Sequence, residues 1–382
     1  MIIAMDAVHI RGTSGIETYA RNICRAVALA APDCEVQLHT SSRRVDEVHA
    51  LFPGISNITV HGTLPHPLML GLIGRPVTMK IRNRAWKKIA KTVDVIFFPD
   101  PMHFAPHLPN AVAMVHDIIP LYNTPWSGPH IQKPLMNALA GVVRDAKKII
   151  VPSGFVRDEV LRVYQLPADH VRVVHEAASS DFHLLQSDPS VLRAAGIREG
   201  ERFFLHVGRL DPRKNIGTII DAFALLPAAL RDSTRLLIVG RGPKDERADV
   251  DRHITDNKLE DRVTVYGGAS DTDIVHLYNA AIGFVFASLS EGFGLPAVEA
   301  MQCGCPVISA NSSSLPEVAG DAALYVDETS AASIAAAMAT LATDESVRSQ
   351  CKLRGIEQAK TFSWSRAAQE SIALFNEVVR IK

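Results

Sequence analysis

Short apolar runs punctuate this chain, and between them apolar residues recur at helical spacing. Ile2–Ala4, Val36–His39, Val93–Phe98, Ala111–Val115, Ile149–Val151 and Val171–Val174 read as buried strands. Glu17–Leu29 and Phe155–Tyr164 carry amphipathic helical patterns between them. A second series repeats the arrangement: Phe203–Val207, Leu236–Val239, Val263–Tyr266, Gly283–Ala287, Val307–Ser309 and Ala323–Val326. Strands alternating with helices predict an α/β, doubly wound parallel sheet. Two series predict two similar domains. Polar residues replace periodic ones over Glu176–Pro189, which divides the chain into 1–178 and 190–362. A last helix, about Ser365–Val379, follows Phe362, and the expectation is that 363–382 packs back on the first domain. Ligands of open parallel sheets bind beyond the carboxyl ends of the strands. With two facing sheets, that rule places the site in a cleft between domains.

Size agrees with this division: 382 residues are too many for one ordinary core. The composition, 47% hydrophobic and 21% charged, is that of a soluble protein. The net charge of −1 hides an asymmetry, with residues 1–180 at +5 and 181–382 at −6. Different partners for the two halves are implied, but nucleic acid is not. Five scattered cysteines give no disulfide framework, and Cys303 and Cys305 stand too close for a usual zinc pair. The N-terminus lacks a signal-peptide pattern, and no run of about 18 apolar residues is present. A cytoplasmic enzyme is the expectation.

The chemistry concentrates at predicted strand ends. The most informative stretch is Ser290-Glu-Gly-Phe-Gly-Leu-Pro-Ala-Val-Glu299, where Glu291 and Glu299 stand eight positions apart across a Gly-rich turn and a helix start. A helix N-terminus presents free amides and partial positive charge, which suits an anion. Carboxylates beside an anion site suit a ligand with hydroxyls as well as phosphates, a sugar nucleotide. After the first strand of the second series comes Gly208-Arg209-Leu-Asp-Pro-Arg-Lys214-Asn, where Arg209 and Lys214 can reach a diphosphate or form a solvated basic turn. Arg11-Gly-Thr-Ser-Gly15 opens the first helix with glycines that permit close backbone approach, though a plain turn has the same composition. It lacks dinucleotide and P-loop spacing. His116-Asp117 follows another apolar run. A His there serves as base, donor, ligand or purely structural residue. No clustered Asp/His set suits a catalytic metal, so none is expected. Residues 72–91 interleave Arg75, Lys80, Arg82, Arg84, Lys87, Lys88 and Lys91 with Ile73, Met79, Ile81, Trp86 and Ile89. That pattern suits either a solvated helix face or a helix lying on anionic lipid.

Taken together, these motifs resemble the retaining glycosyltransferases of family GT4, whose fold is GT-B: two Rossmann-like domains facing across a cleft. The resemblance rests on the E-x7-E signature at Glu291–Glu299, the following Gly304-Cys-Pro-Val-Ile, the Arg209/Lys214 pair, His116-Asp-Ile-Ile-Pro, and Leu315-Pro-Glu-Val-Ala-Gly-Asp-Ala-Ala-Leu. The last two are similar to segments of bacterial mannosyltransferases of polysaccharide and O-antigen assembly. Ser14 departs from the adjacent glycines of many relatives. The resemblance implies an acceptor-side first domain and a nucleotide-sugar-binding second one. Arg209 and Lys214 would neutralise the leaving diphosphate in place of a metal. Glu291 would hold donor-sugar hydroxyls and Glu299 the ribose. Backbone amides of Gly292, Phe293, Gly294 and Leu295 would contact sugar and phosphate, with Gly208 beside them. His116 would touch the donor sugar, and Gly15 would lie beneath the diphosphate. The expected reaction is transfer of mannose from GDP-mannose to a glycan or lipid-linked acceptor by front-face attack, without a cofactor. The alternatives are a UDP-sugar-dependent glycosyltransferase, a nucleotide-sugar epimerase and a non-catalytic sugar-nucleotide-binding partner.

Overall fold

The computed structural model describes residues 1–8, 10, 15–65, 74–122 and 129–380. They form two compact units, Met1–Glu176 with Ser363–Lys382, and Ala177–Phe362. The first contains β1 (Ile2–Asp6), β2 (Glu35–Ser41), β3 (Ile58–Leu64), β4 (Val95–Phe98), β5 (Ala111–Met114), β6 (Lys148–Val151) and β7 (Val171–Val173). They pair in parallel in the order β3-β2-β1-β4-β5-β6-β7. The second contains β8 (Arg202–Val207), β9 (Thr234–Val239), β10 (Val263–Tyr266), β11 (Gly283–Phe286), β12 (Val307–Ala310) and β13 (Ala323–Val326). Its parallel order is β10-β9-β8-β11-β12-β13. Each sheet reverses its winding once, between β1 and β4 and between β8 and β11. Such a reversal opens a crevice at the carboxyl ends of the two neighbouring strands.

The strands follow from their sequences. Every residue of β4, Val-Ile-Phe-Phe, is buried, as expected for a strand covered on both faces. The edge strand β3 has no counterpart among the apolar runs. Ile58 and Leu64 are buried, but Thr59, Gly62 and Thr63 are exposed. The helix Trp364–Arg380 buries Ala367, Ala368, Ser371, Leu374, Phe375 and Val378, an i, i+4, i+7 stripe. The stripe joins the first unit's core with Tyr19, Ile23 and Val27 of the helix Gly15–Ala30, and the Phe375 ring lies 5.5 Å from Phe97.

The basic segment gives a different picture from its composition. Thr78, Arg82, Trp86 and Ile89 make a buried stripe along the helix Arg75–Ile89. Trp86 stands edge-on to Phe98 at 4.9 Å and to His39 at 5.3 Å. Two apolar side chains that made the segment look lipid-seeking, Trp86 and Ile89, therefore belong to the core. Val77, Lys80, Ile81, Arg84, Lys87 and Lys88 remain exposed. Residues 72 and 73, and the loop residues Arg11, Gly12, Thr13 and Ser14, lie outside the described residues. Among the described residues no helix is long and apolar enough to cross a membrane.

Candidate active site

The second unit's reversal point brings two loops together. One follows β8. Asp211 accepts from the Arg213 amide at 2.9 Å and caps a short turn, Pro212–Lys214. Asn215 ends that turn in the left-handed region, φ 58°, a conformation Asn tolerates better than most side chains. Its amide nitrogen donates to the carbonyls of Ala287 at 3.1 Å and Glu328 at 2.7 Å, which fixes the turn against the end of β11. The loop after β9 packs equally closely. A Cβ on Gly240 would fall 1.8 Å from the Gly208 carbonyl oxygen, so only glycine fits there.

The other loop follows β11 and carries Glu291. Ser313 accepts from the Glu291 amide at 3.1 Å, and the Ser314 hydroxyl donates to the carbonyls of Glu291 and Phe293 at 2.9 and 2.8 Å. Gly294, φ 104°, turns the chain into the helix Leu295–Gln302. A Cβ there would meet Leu315 at 2.5 Å. The Phe293 ring stacks edge-on against Phe362 at 5.4 Å, so its side chain anchors the turn.

The two loops meet in an ion-pair cluster. Lys214 Nζ donates to Glu291 Oε1 at 2.5 Å, and Arg213 Nη1 donates to Glu291 Oε2 at 2.7 Å. Lys214 and Glu291 are 8% and 6% exposed, so this is a buried contact. Lys214 Nζ also lies 5.1 Å from the Phe286 ring centroid. Burial pushes the Glu291 carboxyl up, but the charges of Lys214 and Arg213 and the Lys214 hydrogen bond outweigh it and bring it to about 2. Beneath the cluster His206 is fully buried, with its Nδ1 2.9 Å from the Val285 carbonyl. Burial, with the charge of Lys214, brings that imidazole down to about 4.

Glu299 lies in the helix, in different surroundings. Burial of its carboxyl, reinforced by Asp271, raises it to about 8, while Lys214 and a bond from Tyr278 pull the other way. Arg209 is exposed, and its charge acts on Glu246. Lys214, Glu291 and Glu299 therefore share one locality, while Arg209 stands exposed five residues before Lys214 on the same loop. Arg213, absent from the candidate residues above, is the second cation on Glu291. A basic residue beside Lys214 gave no hint of which would turn inward.

His116 sits in the first unit after β5. Its Nε2 is 2.9 Å from the Pro99 carbonyl and its Nδ1 3.2 Å from Glu176 Oε1, with the Tyr19 ring edge-on at 4.9 Å. Burial lowers the imidazole, but the Glu176 bond and charge outweigh it and raise it above its ordinary value. With an acceptor at each nitrogen the ring is placed as a hydrogen-bond donor. Glu176 is 8% exposed and lies 60 residues away, so no local pattern announced it. Gly15 begins the first helix, exposed, with open space where a Cβ would stand. Among the described residues no group of three or more His, Cys, Asp or Glu could hold a metal ion.

Comparison with known proteins gives this arrangement a context. Residues 189–358 match the family described as glycosyl transferases group 1, and residues 13–181 match glycosyltransferase family 4. The chain is 32% identical to the O-antigen chain mannosyltransferase B of Escherichia coli over 94% of its length and 95% of that protein. It is 30% identical to the serotype-specific mannosyltransferase WbdA of Escherichia coli over 70% of its length, but spans only 34% of that longer protein. Among solved structures, sucrose-phosphate synthase of Thermosynechococcus elongatus superposes with a TM-score of 0.74 at 21% identity, covering 100% of both chains.

Proposed function

This chain belongs to the glycosyltransferases of group 1 and family 4, and from that premise we propose that it transfers mannose from GDP-mannose, with retention, to a glycan or lipid-linked saccharide. It is a sugar-nucleotide-dependent glycosyltransferase with the GT-B fold. The observation that carries the donor site is the buried Lys214–Glu291 pair at the joined ends of β8 and β11. Breaking the bond between the anomeric carbon and the diphosphate builds negative charge on the leaving group. Lys214 and Arg209 take that charge, and the amides from Gly292 to Leu295 add helix-terminus stabilisation. Gly208 and Gly15 let the backbone approach the diphosphate.

Glu291 stays ionised and accepts from donor-sugar hydroxyls. Glu299 takes the ribose. Its titration near 8 leaves it protonated at neutral pH, so it both donates to and accepts from a diol. His116 enters as a hydrogen-bond donor held by Glu176. The acceptor hydroxyl attacks the anomeric carbon on the face the diphosphate leaves, and its proton passes to the departing phosphate oxygen. No side chain described above reads the base, so the mannosyl assignment is supported by the two mannosyltransferase relatives. A UDP-sugar donor is the second reading.

A panel of GDP-mannose, UDP-glucose and UDP-galactose, with nucleoside diphosphate release followed, separates the two. Turnover of GDP-mannose is expected; turnover of a UDP-sugar alone removes the mannosyl assignment. Product analysis by NMR excludes epimerisation if the sugar leaves the nucleotide. Contact with anionic lipid would run through Lys80, Arg84, Lys87 and Lys88. Flotation that is equal with and without anionic lipid would remove it.

A further inference from the structure

Glu291 holds two cations where the proposed reaction draws on one. Lys214 is assigned to the diphosphate; Arg213 is not. Arg213 Nη1 donates both to Glu291 Oε2 at 2.7 Å and to the Ser290 carbonyl at 2.8 Å. Its own carbonyl accepts from the Leu289 amide at 2.9 Å. One residue thus grips the side chain of Glu291 and the backbone just before it. Ser313 and Ser314 hold only the main chain of Glu291. When Lys214 turns its charge toward a diphosphate, a buried carboxylate left without a cation takes up a proton or swings away. A guanidinium, with its rigid fork and permanent charge, prevents both.

We propose that Arg213 is a positioning residue for the donor sugar, keeping Glu291 aimed and ionised while Lys214 serves the leaving group. This rests on the donor-site assignment above. A residue that merely braces the loop would affect sugar nucleotide and free nucleotide alike, whereas Arg213 acts on the sugar through Glu291.

The test compares Arg213→Gln, Arg213→Lys and Glu291→Gln with the parent, using the panel donor that turns over and its free nucleoside diphosphate. Arg213→Gln should lower kcat/KM for the donor by about 10–100-fold, the range for losing a hydrogen bond to a charged group. Affinity for the free diphosphate should stay within about threefold, against the tenfold that 1.4 kcal/mol represents. The acid limb of kcat/KM should move to higher pH. Arg213→Lys, which keeps the charge and serves if the Gln variant does not fold, should show a milder loss with the same preference. Kinetic constants and an acid limb like the parent's in folded variants would overturn the proposal, as would equal losses for donor and free diphosphate. Glu291→Gln with undiminished turnover sinks the donor-site assignment, and this proposal with it. A crippled Glu291→Gln beside a parent-like Arg213→Gln sinks the role of Arg213 alone.

Discussion

Glu291 and Glu299 belong to one motif and stand in opposite electrical states. The facing loop after β8 supplies a cation to each carboxylate oxygen of Glu291 and brings the group down to about 2. The helix around Glu299 supplies none in contact; burial and Asp271 lift it to about 8. Both carboxyls are penalised by burial, so the adjacency of a cation decides the outcome. In the proposed reaction the two chemically identical residues thereby take different tasks. Glu291 serves as a fixed anion that only accepts. Glu299, lifted to about 8, serves as a carboxylic acid that both donates and accepts.

The largest expected effect comes from removing the cation that links Glu291 to chemistry. Lys214→Ala should reduce turnover by about 10²–10³-fold, the usual loss for one charge-stabilising donor, and raise the titration of Glu291. Unaltered turnover would reduce the Lys214–Glu291 pair to a structural plug. Next, Glu291→Gln should lower kcat/KM about 10–100-fold and depress the Tm at neutral pH. The folded value of Glu291 lies below its ordinary 4.5, so its stabilisation is complete above about 4.5 and is lost as pH falls toward 2. The Tm gap between parent and variant should therefore close on acidification. A gap independent of pH would contradict the ionised state.

Glu299→Gln should show the opposite slope. Between about 4.5 and 8 the folded protein keeps a proton that the unfolded chain has released, so Glu299 destabilises increasingly as pH rises through that window. The variant should gain Tm over the parent at pH 8 and not at pH 4. Smallest of all, Tyr278→Phe removes the bond that holds Glu299 down, and the carboxyl's NMR titration midpoint should move upward. A downward movement would break the contrast between the two glutamates.

The fold class was legible because strands covered on both faces leave continuous apolar runs, as in β4. β3 was not, since an edge strand containing His61 and Gly62 lacks such a run. The buried stripe Thr78, Arg82, Trp86 and Ile89 is present in the spacing, but the basic residues interleaved with it mask the core-facing side. In the candidate site, Lys214 and Glu291 could be paired by the rule that ligands gather at strand ends. Arg213 could not, because its direction is set by Asp211, Pro212 and the left-handed Asn215 acting together. Likewise the partner that commits His116 to donating, Glu176, is distant in sequence and recognisable only once β5 and the segment after β7 are in place.

The most direct test is a crystal structure with the donor sugar nucleotide bound. A phosphate oxygen is expected about 2.7–2.9 Å from Lys214 Nζ, the distance of a charge-assisted bond, with sugar hydroxyls on Glu291, ribose on Glu299 and Arg213 still holding Glu291. A diphosphate beyond reach of Lys214, with the Lys214–Glu291 contact unchanged, would contradict it.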